Sequence, residues 1–590
     1  MIKSPTIHQS RNEGAGRAGT AVMGAMLAAM AFILSGCAPQ AEGEASSLSA
    51  GETELVDAVF EDWDSSTSPG GVVAIVKGGK TYTHAYGMAN LETATPLTPE
   101  SRLHVASISK QFTAYAAGML VNDGKLSLDA KAQDYVAEVR QIEEPLLVEQ
   151  LIHHTSGLRD QWSLASMAGI RPSEVISQRD ILTFASQQDE LNFAPGEAFI
   201  YSNMGYSILA EVVGAAGGAP FPQFVRENIF APLGMTRTTF FSIMDAPLEG
   251  RAMSYEPDEE RFRQIPLNFD NYGATSLQTT ANDMVLWLRN LLSETPIGGP
   301  EMKSMILQKG VLNDGREIQY AFALELADFH GLQAVEHGGS DAGFRAHVMF
   351  IPEKQFGIAV LANRSDSDTS IRARKLARQL LFAESEIESP RPALGVIPPL
   401  EARLAFEGEF HVGDGPINTI KASEEGVIMA APFWSGIELT QAGEGRFITL
   451  DDDVPGVLQF DPSIGDGAQE YVFKRGAHEV RGKRITAANV LPDNAGEYVG
   501  KYTSAGLDTS YFIDLTDDGL TVRHWRAGPG KLRPIGEDDF ASAGGVFGRV
   551  RFIRNDAGEI IAFEGSDRRA KRVPFLRVSG QSSIEARLPQ

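Results

Sequence analysis

Ser107-Ile108-Ser109-Lys110, at the predicted start of a helix running to about Asn122, is the stretch from which the fold and chemistry unfold. A spacing of three places both functional side chains on one helical face, one turn apart. A lysine so placed can draw the proton from the serine, and a helix N-terminus favours the negative charge that develops there. A Ser-x-x-Lys match is a weak pattern by itself, since a chain of this composition yields about one by chance. Every other lysine in the chain lacks a serine three positions before it.

Two further elements give the pattern weight. Tyr201-Ser202-Asn203 is a Tyr-x-Asn element on a predicted loop after Pro195-Gly196, leading into a helix. None of the other twelve tyrosines has asparagine two positions on. A phenol beside an ammonium has its phenolate favoured, so Tyr201 is expected to act as general base and then as general acid. Taken alone, the element is equally a turn that caps the next helix. His337-Gly338-Gly339-Ser340 falls at the expected edge of a sheet, where glycines admit a substrate backbone. Lys77-Gly78-Gly79 fits that pattern too, but it precedes Ser107 and lies in a hairpin turn.

Outward from these elements, apolar spacing predicts helices over Glu52–Trp63, Ser107–Asn122, Arg179–Gln187, Ser202–Ala216, Thr280–Leu292 and Ile371–Ala383. Strands are predicted at 71–76 and 81–86, around the Gly78-Gly79 turn, and at 346–351 and 356–362. Strands at both ends of a helical middle imply an α+β domain, residues 53–385, whose terminal strands share one antiparallel sheet beside a helical subdomain.

The texture changes after about Glu388. Residues 386–400 read as a proline-rich linker, and beyond them short alternating strands dominate. Gly408-Glu409-Phe410 and Gly500-Lys501-Tyr502 open two stretches that close on Tyr471–Lys474 and Pro574–Arg577. That repeat predicts two small β-barrels, 401–486 and 487–590, with one larger β-domain as the alternative.

The 590-residue chain carries a formal charge of −25, with no basic stripe, so a nucleic-acid partner is not expected. An apolar run over 21–34 follows Lys3, Arg11 and Arg17 and ends at Leu34-Ser35-Gly36-Cys37. It suits a secretory signal better than a membrane span. Cys37 is the one cysteine, so no intrachain disulfide forms. The four residues resemble a bacterial lipobox, which implies cleavage after residue 36 and lipidation of Cys37. Ala38 at the next position leans toward the outer membrane, giving a periplasmic lipoprotein with residues 37–52 as a flexible tether.

Taken in order, the three catalytic elements resemble the serine β-lactamase and penicillin-binding-protein superfamily, in its class C-like branch of esterase and D-aminopeptidase relatives. Leu151–Leu158 (LIHHTSGL), Asn203-Met204-Gly205-Tyr206 and Ala231–Met235 (APLGM) agree with it. The resemblance implies that Ser107 attacks an acyl carbonyl and that Lys110 and Tyr201 relay its proton. Asn203 would orient the substrate amide or the lysine, and the N–H groups of Ser107 and Ser340 would form the oxyanion hole. His153–Leu158 is expected as a structural loop beneath the site, and no cofactor or metal is implied.

One departure bears on substrate. Members that bind a terminal carboxylate carry lysine where this chain has His337. A histidine near its ordinary pKa of about 6.5 is mostly neutral at pH 7 and gains its charge toward pH 6. Arg345, on the next strand, is a candidate replacement. D-aminopeptidases of the superfamily resemble the chain better, with His-Gly-Gly and two appended barrels. A D-stereospecific peptidase or amidase acting on small peptides or amides is therefore favoured over a small-ester hydrolase. A β-lactamase or carboxypeptidase comes next, and a non-catalytic envelope binding protein is the remote alternative.

Overall fold

The computed structural model describes residues 47–578, apart from 172, 243–246, 260, 384–398, 414, 416, 425, 432–433, 450–455, 462–468, 476–477 and 486–490. The expected signal segment 1–36, Cys37, most of the 37–52 tether and most of the 386–400 linker lie outside these residues. The last tether residues differ from expectation. Ser49 and Glu52 form a reciprocal capping box that starts helix α1 (Ala50–Phe60), and Leu48 is buried.

Strands β1 (Gly71–Lys77) and β2 (Lys80–Tyr86) form the predicted hairpin. Gly78 and Gly79 take φ of 54° and 84°, the left-handed pair that a two-residue hairpin turn requires. Helices α2 (Ser109–Asn122), α3 (Gln161–Met167), α4 (Gln178–Ser186), α5 (Asn203–Gly217) and α6 (Ala281–Leu292) occupy the middle of the domain. The chain then returns through β3 (Glu325–Phe329), β4 (Leu332–Asp341), β5 (Phe344–Ile351), β6 (Phe356–Ala362) and α7 (Thr369–Leu381).

One antiparallel sheet results, in the order β3-β4-β5-β6-β1-β2, with Gly71 of β1 opposite Ala362 of β6. It is buried on both faces, and the period-two alternation of β1 sorts its residues. Val73 and Ile75 pack with Val56, Phe60 and Leu376 of α1 and α7, while Val72, Ala74 and Val76 join the core beneath α2 and α6. Phe112 stacks on Trp287 at 4.2 Å in that core and fixes α2 against α6. The helical middle is thereby an insertion between two halves of one sheet, and Ser107 lies where it meets the sheet.

Two closed barrels of eight strands follow, from Gly408–His411 to His478–Arg484 and from Gly500–Ser504 to Val573–Arg577. The repeat seen in the sequence has a structural counterpart. Each closing strand carries an arginine that grips the opening segment, Arg484 donating to the Glu407 and Ala405 carbonyls and Arg577 to that of Val499, while Arg577 also donates to the Ile560 carbonyl of the neighbouring strand. Glycine at 408 and 500 leaves space for those guanidinium groups.

Candidate active site

Ser107 sits in a 3₁₀ turn, Ala106–Ile108, that precedes α2, so the regular helix starts two residues later than expected. Ala106 takes φ of 49°, a left-handed conformation that alanine rarely adopts. The surrounding packing holds this strained corner and turns the serine toward the cleft. Lys110, fully buried, donates to Ser107 Oγ at 3.1 Å, Asn203 Oδ1 at 2.8 Å and the Ala274 carbonyl at 2.7 Å. Burial lowers its pKa to about 7, against the carboxylates of Asp341 and Asp160, which favour the ammonium. Near neutrality a large fraction of Lys110 is thus free base, one hydrogen bond from the serine hydroxyl.

Tyr201 stands beside this pair, its ring centroid 4.9 Å from Lys110 Nζ. Its hydroxyl is buried next to Ser107 yet makes no hydrogen bond of good geometry among the described residues. Burial pushes the phenol well up and outweighs the Ser107 hydroxyl and the Arg569 guanidinium, which favour the phenolate. This runs against the expectation of a favoured phenolate: burial keeps the Tyr201 hydroxyl protonated.

Asn203 is turned toward the lysine. Its Oδ1 accepts from Lys110 while its Nδ2 and backbone N–H both donate to Asp160 Oδ2, at 2.8 and 2.7 Å. Asp160, the N-cap of α3, had no motif to mark it in the sequence.

On β4, Gly339 approaches the segment before Ser107 so closely that a Cβ would stand 2.3 Å from the Val105 carbonyl oxygen. Only glycine allows the strand to close on the nucleophile corner, and it sets the exposed Gly338 and Ser340 at the cleft. His337 is buried and neutral, its pKa held down to about 4 chiefly by burial. A directional chain fixes its tautomer. Ser202 N–H donates to His154 Nδ1 (3.1 Å), whose Nε2–H donates to Tyr320 Oη (3.2 Å), whose O–H donates to His337 Nε2 (3.0 Å). His337 Nδ1–H then donates to the Gly338 carbonyl at 2.7 Å. Protonation would set Nε2–H against the Tyr320 hydroxyl proton, so the expected gain of charge toward pH 6 is overturned. His154 lies in the loop before Leu158, its ring tilted 35° to that of Tyr201 with centroids 4.1 Å apart. Arg345 aims its guanidinium at the Ala342 and Phe344 carbonyls of its own hairpin.

The remaining component comes from far along the chain. Between strands Ile560–Ser566 and Val573–Arg577 of the second barrel, residues 567–572 reach the catalytic domain. The Arg569 carbonyl accepts from Asp160 N–H at 3.1 Å and Asn192 Nδ2 at 2.9 Å, and Lys571 N–H donates to Asn192 Oδ1 at 2.8 Å. Buried Arg159 donates to the Lys571 and Arg572 carbonyls. The Arg569 guanidinium thereby lies 4.9 Å from the Tyr201 ring centroid. No short-range pattern in the sequence links residues more than 360 positions apart.

A buried Ser–Lys pair with a tyrosine hydroxyl beside it, set where an antiparallel sheet meets a helical insertion, defines an active-site-serine hydrolase. Residues 55–382 match the Beta-lactamase family, and the chain belongs to it. It is 28% identical over 532 residues to a D-aminopeptidase of Brucella anthropi, covering 86% of this chain and 95% of that protein. With a D-aminopeptidase of Gluconobacter oxydans (strain 621H) it shares 29% identity over 388 residues, 64% of this chain and 71% of that one. The octameric penicillin-binding protein homologue from Pyrococcus abyssi has a similar fold, with TM-score 0.52, 23% identity, and coverage of 73% of this chain and 99% of that chain.

Proposed function

We propose that this serine hydrolase is a D-stereospecific aminopeptidase or amidase acting on small peptides and amides through an acyl-enzyme on Ser107. The observation that carries the reading is the length of its likeness to proteins named D-aminopeptidase. That likeness extends over 86% of the chain, well beyond the 55–382 family match and therefore into the barrels. In the proposed reaction Ser107 Oγ attacks the carbonyl as its proton passes to Lys110 Nζ, 3.1 Å away. The carbonyl oxygen takes the negative charge and rests on the N–H groups of Ser107 and Ser340. The C–N bond then breaks, with the Tyr201 hydroxyl giving its proton to the departing amine and recovering one from Lys110. Water repeats the sequence to free the acid and restore Ser107.

The test is paired. Wild type should hydrolyse D-alanine p-nitroanilide with a kcat/KM at least tenfold above that for the L enantiomer, and Ser107→Ala should abolish both turnover and fluorophosphonate labelling. Equal rates on the two enantiomers would remove the stereospecific reading. Continued labelling of Ser107→Ala would move the nucleophile elsewhere.

We also infer an envelope location, with a lipid on Cys37 as the anchor, probed by membrane fractionation. The support is the run 21–34 ending at Leu34-Ser35-Gly36-Cys37. Cys37→Ser should move the protein from the membrane to the soluble fraction. Wild-type protein that is soluble and retains its first 36 residues would rule the anchor out.

A further inference from the structure

We propose that Arg569, carried into the cleft by the second barrel, binds a carboxylate on the leaving-group side of the substrate and makes the enzyme prefer leaving groups that are free amino acids. The proposal rests on acyl transfer at Ser107, and it adds a carboxylate receptor where the three basic groups expected near the site, Lys110, His337 and Arg345, are engaged elsewhere. Members of the family that bind a terminal carboxylate carry a lysine where this chain has His337, and Arg345 is the candidate replacement for that charge. His337 is neutral and fully engaged, and Arg345 faces two backbone carbonyls. Lys110 Nζ is enclosed by Ser107 Oγ, Asn203 Oδ1 and the Ala274 carbonyl.

Arg569 is placed differently. Its backbone is fixed at both ends of the residue, the carbonyl by Asp160 and Asn192 and the N–H by Asp567 Oδ1 at 2.7 Å. Asp567 also accepts from Ala570 N–H at 2.6 Å, so that carboxylate holds the turn. Among the described residues the Arg569 guanidinium makes no hydrogen bond or ion pair, and its one ring contact is the face of Tyr201. A half-buried cation over an aromatic face retains its five N–H donors for a ligand, in the planar fork that matches a carboxylate.

The same contact says which part of the substrate it meets. Tyr201 has a buried hydroxyl without a partner, aimed at the serine corner, and in the proposed reaction that hydroxyl protonates the departing atom. A guanidinium held on the Tyr201 ring therefore lies beside the leaving group. For a peptide the leaving group of a dipeptide is an amino acid with its α-carboxylate close to the scissile nitrogen. In an amide or anilide that charge is missing, and in a longer peptide it is moved away by a residue or more. The second barrel thus selects for short substrates by charge.

Matched aryl esters test this without relying on D-stereospecificity. Two esters of one acyl group are compared on the full-length protein, one releasing 3-hydroxybenzoate and the other its neutral methyl ester. Wild type should favour the carboxylate-bearing ester roughly ten- to hundredfold in kcat/KM, the scale of a hydrogen bond to a charged group. Arg569→Gln should bring that ratio close to one, and Arg569→Lys should restore part of it. The ratio cancels any general loss caused by disturbing Tyr201. A wild-type ratio at or below one, or a high ratio that survives Arg569→Gln, overturns the proposal. Failure to hydrolyse either ester, together with an unlabelled Ser107, overturns the acyl-transfer reading and this inference with it. Hydrolysis of the esters without any D-preference on anilides strikes the D-aminopeptidase reading alone.

Discussion

The two barrels have the same strand number, the same closure and the same arginine clasp, yet they are differently joined to the enzyme. The first surrounds a core of its own, built from residues such as Phe410, Leu439, Phe460 and Tyr471. The second shares one continuous core with the catalytic domain, and Tyr511 Oη donates to the Met167 carbonyl at the end of α3 at 2.8 Å. It also sends residues 567–572 to Asp160, which holds Asn203, which in turn holds Lys110. The first barrel meets the second through the Glu409–Arg533 ion pair, 2.8 Å long, and through Arg549, which donates to the Gly413 carbonyl at 3.2 Å. Duplicating an architecture therefore does not duplicate its role. What separates the copies is one loop of six residues and the apolar surface behind it.

Arg159 gives the largest expected effect on this difference. It is buried, donates to the Lys571 and Arg572 carbonyls and to Gln188 Oε1, and pairs with the exposed Glu190. Arg159→Ala removes at least three hydrogen bonds, each worth about 1 kcal/mol, two of them to the loop carbonyls. Urea denaturation should show a loss of about 3 kcal/mol, and kcat/KM should fall at least tenfold as Arg569 and Asp160 lose their mutual support. If stability falls by this amount while kcat/KM is unchanged, the second barrel is a structural brace and its loop has no part in turnover.

Much of the catalytic domain could be read directly from its sequence because its elements are governed by local rules. The Gly78-Gly79 hairpin, the helix after Ser107 and the paired strands around residue 354 all follow from turn chemistry and apolar period. The candidate site was legible only where spacing is short: Ser107 with Lys110, Tyr201 with Asn203, His337 with its glycines. Charge states were not legible. A pKa depends on burial and on groups brought in by the fold: burial opposes the phenolate expected of Tyr201, and it keeps His337 neutral at pH 7 as expected while moving its gain of charge well below pH 6. Asp160, Tyr320 and Arg569 escaped notice for the related reason that each matters through a partner distant in the chain. The capping box at Ser49 and Glu52 is a different kind of miss, because its Ser-x-x-Glu pattern stood in plain view within a stretch taken as tether.

A smaller effect tests whether the second barrel is coupled to the base electrostatically. Lys110, with its pKa lowered to about 7, is active as the free amine, so kcat/KM should rise through neutral pH on its acidic limb. Asp160 favours the ammonium and Arg569 disfavours it. Asp160→Asn should therefore lower the Lys110 pKa and move the limb to more acidic pH. Arg569→Gln should raise it and move the limb to more alkaline pH. Each shift should be some tenths of a unit to about one unit, measured from kcat/KM profiles on a neutral ester whose own ionisation does not interfere. Limbs that move in the same direction would show that the titrating group is not Lys110.

The smallest expected effect belongs to the first barrel. Glu409 is 44% exposed and its partner Arg533 is 23% exposed, so the attraction between them acts across a wet, high-dielectric surface. Pairs of this kind contribute about 1 kcal/mol or less and weaken further with salt. Glu409→Ala should accordingly lower stability by less than about 1 kcal/mol in urea, and less again at 0.5 M salt. The ester preference assigned to Arg569 should stay unchanged, because the Glu409–Arg533 pair lies outside the 567–572 loop. Arg533 lies on the second barrel, so a relay from Glu409 through this ion pair would pass along that barrel's strands to residues 567–572. A tenfold fall in kcat/KM, or a changed ester ratio, would demonstrate such a relay. The barrels would then act on the cleft as one unit, and the division of roles drawn between them would fail.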